Sequence, residues 1–246
     1  KDETLMPIGS ALDDKWGAYS NEIATMIANI YNSATQEEAE AKYQAVLQHM
    51  VDFMYANMDS VLSLNALTSY INLGGDDAVA SDIFNKIDRR FAVLESYKSL
   101  KTTIVGAELI DLALPNAEGE VIRVSDLCKS GKWVLIDFWA TWCGPCRGEI
   151  PYLVEAYAKY APQGLEIYGV SFDYPGTEAR WREFIAENNM TWINVWGTDE
   201  DGSWRAGEEF NVDGIPANFL YSPEGKLVAR NLRGDNIERV LAEHIK

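Results

Sequence analysis

Two cysteines three positions apart, Cys143 and Cys146, are the residues of this chain best suited to do chemistry. They lie in Trp142-Cys143-Gly144-Pro145-Cys146, just after the apolar run Trp133-Val134-Leu135-Ile136-Asp137-Phe138-Trp139-Ala140. That run has the length of a strand and is apolar at both parities, which predicts a strand buried on both faces. Downstream, Ile150, Leu153, Val154, Tyr157 and Ala161 recur at helical spacing. The thiols therefore fall where a central strand hands over to a helix. Unpaired N–H groups and the dipole of a first helical turn favour a negative sulfur at Cys143, and the thiolate is the reactive species. Pro145 is tolerated there because first-turn N–H groups have no intrahelical partner. The expected roles are an exposed nucleophile at Cys143 and a shielded resolving thiol at Cys146, which attacks the mixed disulfide and releases the product.

Other uses of Cys-x-x-Cys carry less weight. Zinc needs about four ligands, and the chain adds only Cys128, His49 and His244, far apart and without ligand spacing. A purely structural disulfide across two residues closes too small a loop to restrict the unfolded chain much. No metal and no cofactor is expected. Cys128, unpaired by count, reads as a small buried hydrophobe.

The stretch Leu135 to Pro151, L-I-D-F-W-A-T-W-C-G-P-C-R-G-E-I-P, resembles the active-site segment of the thioredoxin-like TlpA/ResA family of bacterial envelope proteins. The resemblance covers residues 103–246 and implies a thioredoxin-like α/β fold, a central mixed sheet flanked by helices. It implies a thiol-disulfide oxidoreductase that reduces disulfides of envelope proteins and is recharged by an upstream thiol electron donor. Asp137, six residues before Cys143, matches the buried acid of thioredoxin. Glu149 matches the acid of C-x-x-C-x-x-E-x-P, and Gly214-Ile215-Pro216 matches the loop whose proline is cis.

Each match also has a physical reading. An aspartate within an apolar strand is costly to bury, and desolvation should raise its pKa, so that it can relay a proton to or from Cys146. Glu149 also fits a plain first-turn acid favoured by the helix dipole. Pro216 also fits a routine strand-start proline; if cis, it would hold the Ile215 backbone where an extended substrate can pair with it. Trp142, Gly144, Pro145 and Ile215 are the expected substrate contacts. Of Trp139 and Trp142, one is expected in the core and the other at the rim. Arg147 could hold a thiolate electrostatically or be a solvated surface residue.

Peroxidases of the neighbouring peroxiredoxin group carry P-x-x-x-T-x-x-C. Here Ala140-Thr141-Trp142-Cys143 lacks the proline and has a different threonine spacing. Two other readings remain beside the reductase: an oxidase or isomerase of protein disulfides, and a non-enzymatic binding module on the same scaffold.

Composition bounds these readings. The 246 residues are 47% hydrophobic and carry a net charge of −17, with acids in excess in both halves. That excludes the basic face nucleic acid needs and electrostatic docking on anionic membranes. No apolar run reaches the length of a membrane span. The chain begins Lys1-Asp2-Glu3 with no signal peptide; a processed product is expected, in the periplasm or cell envelope, with a lipid anchor on a removed segment as one route to retention.

The elements that must position the site are organised in two parts. Residues 1–101 show helical periodicity only and are expected to form a small all-helical domain or arm. Trp16, Tyr19, Ile23, Met26, Ile27 and Ile30 mark one helix; Thr35 and Glu38 form a capping box for a second, through Met58. A third should end at Gly74-Gly75, and a fourth should carry Ile83, Ile87, Phe91 and Leu94 on one stripe. The methionines (Met26, Met50, Met54, Met58) read as core filler. Residues 102–246 alternate strand and helix, starting with a hairpin from Ile104–Leu114 to Glu120–Val124 about the turn Asn116-Ala117-Glu118-Gly119. Strands follow at Leu165–Ser171, Trp192–Val195, Ala217–Tyr221 and Leu227–Asn231, with a final helix capped by Asp235.

Overall fold

The computed structural model describes residues 11–246 and divides into two compact units between Ile104 and Val105. Lys1-Asp2-Glu3, on which the expectation of a processed chain rests, lies outside the described residues.

The first unit is helical. It contains α1 (Ala11–Tyr31), α2 (Gln36–Tyr55), α3 (Leu62–Asn72), α4 (Asp77–Lys86) and α5 (Glu95–Thr103). The capping box at α2 is present: Glu38 N–H donates to Thr35 Oγ1 at 3.1 Å, and Ala34 N–H donates to the Glu38 carboxylate at 2.9 Å. Met50 and Met54 are fully buried beside Leu62, Leu64 and Leu67. The expected stripe from Ile83 to Leu94 is not one helix. Ile87 turns to extended backbone, and the Asp88 carboxylate accepts from Arg90 N–H, opening a 3₁₀ turn over Arg89–Val93 before α5 begins. A side-chain acceptor next to a helix end competes with continued helix, so apolar periodicity ran on while the backbone stopped.

The second unit is built on a five-stranded mixed sheet. In chain order it holds β1 (Ala113–Pro115), β2 (Val121–Arg123), α6 (Val124–Lys129), β3 (Trp133–Trp139), α7 (Gly144–Tyr160) and β4 (Leu165–Ser171). It continues with α8 (Glu178–Glu187), β5 (Ile193–Trp196), α9 (Arg205–Glu209), β6 (Ala217–Tyr221), β7 (Leu227–Arg230) and α10 (Asp235–His244). Strand order is β5-β4-β3-β6-β7. β3, β4 and β5 run parallel through the crossover helices α7 and α8; β6 is antiparallel to both β3 and β7. The flanked mixed sheet expected from the sequence is present, and β3 occupies its centre. Of its seven residues only Trp133 is not fully buried, as continuous apolarity requires when both faces are covered.

Some local expectations change. The hairpin pairs only Ala113–Pro115 with Val121–Arg123. The preceding segment instead lines β7: Gly106 N–H donates to Leu227 O, Leu227 N–H to Ala107 O, and Leu109 N–H to Gly225 O. These bonds occupy an edge that would otherwise offer unpaired groups. The buried face of α7 runs through Cys146, Ile150, Leu153, Ala156 and Tyr160, so Val154, Tyr157 and Ala161 are only half-buried. Asp235 does not cap α10; Gly234 does, with φ 50° and ψ −135°, a conformation open to glycine.

Strand register builds a row across one face of the sheet. Asn194 of β5 pairs with Gly169 of β4, Gly169 with Asp137 of β3, and Asp137 with Asn218 of β6. A Cβ at Gly169 would lie 3.0 Å from Asn194 Oδ1, 3.1 Å from Trp192 Nε1 and 3.2 Å from Trp139 Nε1, so this strand-interior position has room for little beyond hydrogen.

Among the described residues, every strand belongs to the second unit. A fragment spanning residues 105–246 is therefore expected to fold alone, since a domain of this size buries a sufficient core. Cooperative urea unfolding with native-like dispersion of amide resonances is the expected result; a fragment without a cooperative transition would mean the helices complete its core.

Candidate active site

Cys143 ends the loop after β3 and is the N-cap of α7. Its N–H donates to Ala140 O at 3.1 Å, and Arg147 N–H donates to its carbonyl at 3.1 Å. The loop is held by a buried carboxylate: Asp173, just beyond β4, accepts from Thr141 N–H at 3.1 Å, from Thr141 Oγ1 and from Ser171 Oγ at 2.7 Å. Gly144 and Pro145 form the first turn, and Cys146 follows on the buried face of α7. The two sulfurs are joined at 2.07 Å, with Cα atoms 5.3 Å apart. Cys146 N–H points at Cys143 Sγ at 3.2 Å. This is one of the free N–H groups of the helix end, and it would stabilise a Cys143 thiolate after reduction.

The expected contrast of exposed and shielded sulfurs is not what the disulfide presents. Cys143 is 5% exposed and Cys146 3%. The loop before β6 covers Cys143: its Sγ lies 3.7 Å from the Ile215 carbonyl oxygen. The Ile215-Pro216 peptide is cis, so Ile215 and Pro216 stand beside the sulfurs, 72 residues from Cys143 in the chain.

Asp137 is buried on the central strand of the sheet. Burial pushes its pKa up to about 7; the positive charge of Arg233 and the Asn218 amide work against that rise, and the negative charge of Glu149 adds to it. The Glu149 carboxylate is not merely a free first-turn acid: it accepts from Gly234 N–H at 2.8 Å.

The aromatic residues divide as expected of one core and one rim tryptophan. Trp139 is buried against Phe184, while Trp142 is 47% exposed and stacks on Tyr174 and Trp204. Arg147 lies over the Phe184 ring, 5.6 Å from its centroid, where a guanidinium is favoured by the ring face. Cys128 is buried away from the pair, and burial raises its thiol to about 11.

Four contributors escaped the sequence reading. Asn218 had the same signal as Asp137, a polar residue inside the apolar run Ala217–Tyr221. Asp173 followed an apolar strand directly and could have been flagged likewise. Arg233 and Trp204 sit in polar connections with no spacing rule to mark them.

The position of Asp137 sets a pH dependence of stability. Its folded pKa lies above the ordinary carboxylate value, so the native state holds a proton that the unfolded chain has lost. Stability therefore falls as pH rises from about 4 to about 7. Asp137→Asn is expected to remove that fall and to stabilise the oxidised protein at pH 8 by on the order of a few kcal/mol. Denaturant titrations at pH 5 and pH 8 check this; an equal pH dependence in both proteins would contradict it.

Comparison with known proteins agrees with this geometry. The model of the AhpC/TSA family matches residues 105–230. The thiol-disulfide oxidoreductase ResA of Oceanobacillus iheyensis is 33% identical over 142 residues, 56% of this chain and 70% of that protein. ResA of Geobacillus kaustophilus is 31% identical over 160 residues, 63% of this chain and 87% of that protein. Among solved structures, the thioredoxin domain of a thiol-disulfide oxidoreductase from Bacteroides vulgatus superposes with a TM-score of 0.53 at 32% identity, covering 58% of this chain and 98% of that one. With a Cys143–Cys146 pair at the strand-to-helix junction of that shared fold, the chain belongs to the AhpC/TSA family and is a thioredoxin-like protein thiol-disulfide oxidoreductase of the ResA type.

Proposed function

We propose that the reduced protein donates electrons to disulfides of proteins in the cell envelope, the periplasm where there is one. Cys143 thiolate attacks one sulfur of the substrate disulfide, forming a mixed disulfide and releasing the first substrate thiolate. Cys146 then attacks Cys143 Sγ, restores the internal disulfide and releases the second thiolate. The two electrons come from the Cys143–Cys146 dithiol, and an upstream thiol donor restores it. The observation that carries this reading is the placement of Cys143 as N-cap of α7, with Cys146 N–H aimed at its sulfur at 3.2 Å.

In this scheme Asp137 takes the proton that Cys146 must lose before it attacks, because a carboxyl that titrates near neutrality can both accept and return it. Ile215 and Pro216 present backbone to an extended substrate segment. Trp142, half-exposed beside Gly144 and Pro145, offers that segment an apolar contact. Glu149, tied to Gly234, opposes ionisation of Asp137. The envelope location rests on the resemblance to TlpA/ResA proteins. No helix among the described residues is long and apolar enough to cross a membrane. The helical unit would serve partner recognition, dimerisation or spacing from an anchor.

Replacing the resolving thiol should leave the first intermediate standing. Cys146→Ser is expected to accumulate mixed disulfides with envelope proteins, released by dithiothreitol and identifiable by mass spectrometry, while Cys143→Ser accumulates none. Trapping through Cys146 instead in Cys143→Ser would reverse the roles. Trapping by neither variant would leave the scaffold a binding module. Asp137→Asn should slow turnover of a dithiol-driven insulin assay by about tenfold or more.

A further inference from the structure

The four residues joining β7 to α10, Asn231 to Gly234, reach three separate elements of the site. Asn231 N–H donates to the Asn218 carbonyl at 2.8 Å. Leu232 N–H donates to Asn218 Oδ1 at 2.8 Å, and its carbonyl accepts from Asn218 Nδ2 at 3.0 Å. Gly234 N–H donates to the Glu149 carboxylate in α7 at 2.8 Å. Between them, Arg233 donates from one terminal nitrogen to Leu232 O at 2.7 Å and from the other to Pro216 O. Left-handed backbone at Asn231 and Gly234, φ 51° and 50°, turns the strap so that all of these bonds form at once.

Both groups that fix the guanidinium are neutral backbone carbonyls, and no carboxylate among the described residues lies within ion-pair distance of it. A part-buried cation with neutral partners keeps its field available to nearby anions. The groups facing Asp137 can be named element by element. β6 supplies the Asn218 amide, β4 supplies Gly169 and therefore no side chain, and α7 supplies Glu149. The strap supplies Arg233, the one positive charge in the set.

We propose that Arg233 is a positioning residue of the redox site: its guanidinium holds the Pro216 carbonyl and supplies the positive charge that lets Asp137 give up its proton. This rests on the proton-transfer role proposed above for Asp137. When Cys146 attacks the mixed disulfide, its proton passes to the Asp137 carboxylate, Cys146 Sγ bonds to Cys143 Sγ, and the substrate leaves as a thiolate. The carboxylate must be present before the step and must lose its proton to solvent after it. Arg233 favours that ionised state while Glu149, held by the next residue of the same strap, opposes it. Two adjacent residues thus set the balance.

The test follows the Asp137 carboxyl directly, by its carbon-13 chemical shift against pH, in the full-length oxidised protein and in Arg233→Gln and Arg233→Lys. Arg233→Gln should raise the titration midpoint by about half a unit to one unit or more. Arg233→Lys should fall between wild type and Arg233→Gln, because a lysine ammonium keeps the charge but lacks the fork that spans two carbonyls. The pH–rate profile of the Cys146-dependent step should move in the same order. An unmoved or lowered midpoint in Arg233→Gln overturns the proposal, and a loss of thermal stability alone would be the mark of a merely structural side chain. Should Arg233→Gln not fold, the neutral Arg233→Met decides: a raised midpoint supports the assignment, and an unmoved one overturns it. If the carboxyl midpoint rises while the rate profile stays in place, Arg233 does control Asp137 and the proton-transfer reading of Asp137 fails instead.

Discussion

A carboxyl group in the middle of the central strand is the constraint on which this site turns. Asp137 sits among apolar residues, where little water reaches it to stabilise its charge. Such a group is tolerated only where dipoles and an opposite charge meet it. The fold supplies these from sequence-distant places: the Asn218 amide across the β3–β6 pair, and the Arg233 charge from the strap before α10. The resulting balance holds Asp137 near neutrality. Burial alone would favour the acid, and full pairing would fix the carboxylate. Neither extreme would suit the proton exchange with a thiol proposed for it.

The disulfide depends on the same junction. β3 must end where it does for Cys143 to become the N-cap of α7, and Asp173 holds the intervening loop through Thr141. The helix end then offers Cys146 N–H to the Cys143 sulfur, and the Ile215 carbonyl closes over it from the loop before β6. In the oxidised state Cys143 is therefore as covered as Cys146. The nucleophilic role proposed for Cys143 draws on the electrostatics of the helix end rather than on exposure. Around it the surface is aromatic, with Trp142 stacked on both Tyr174 and Trp204.

Much of the architecture could be read from local patterns, because local patterns caused it. The apolar run at Trp133–Trp139 had to be a buried strand, Cys-Gly-Pro-Cys had to open a helix, and Thr35 with Glu38 had to start α2. Where expectation and structure part, a local competitor intervened. Asp88 captured a backbone N–H and ended a helix whose apolar stripe continued. The segment before β1 satisfied its backbone on β7 rather than in a longer hairpin. Gly234, not Asp235, took the cap because the turn into α10 needs a left-handed residue.

The sequence by itself determined the reactive pair, the strand and helix that present it, and the presence of one acid in a strand where an acid is costly. These follow from spacing and polarity within a few residues. Only the tertiary structure decided what that acid faces. Asn218 lies 81 positions from Asp137, Arg233 lies 96, and Ile215 lies 72 from Cys143. No periodicity links them, because strand order and register, not chain order, bring them together. Burial of the disulfide was decided in the same way. A sulfur at a helix end is exposed or covered according to which distant loop packs over it, and that loop's path is set by where β6 joins the sheet.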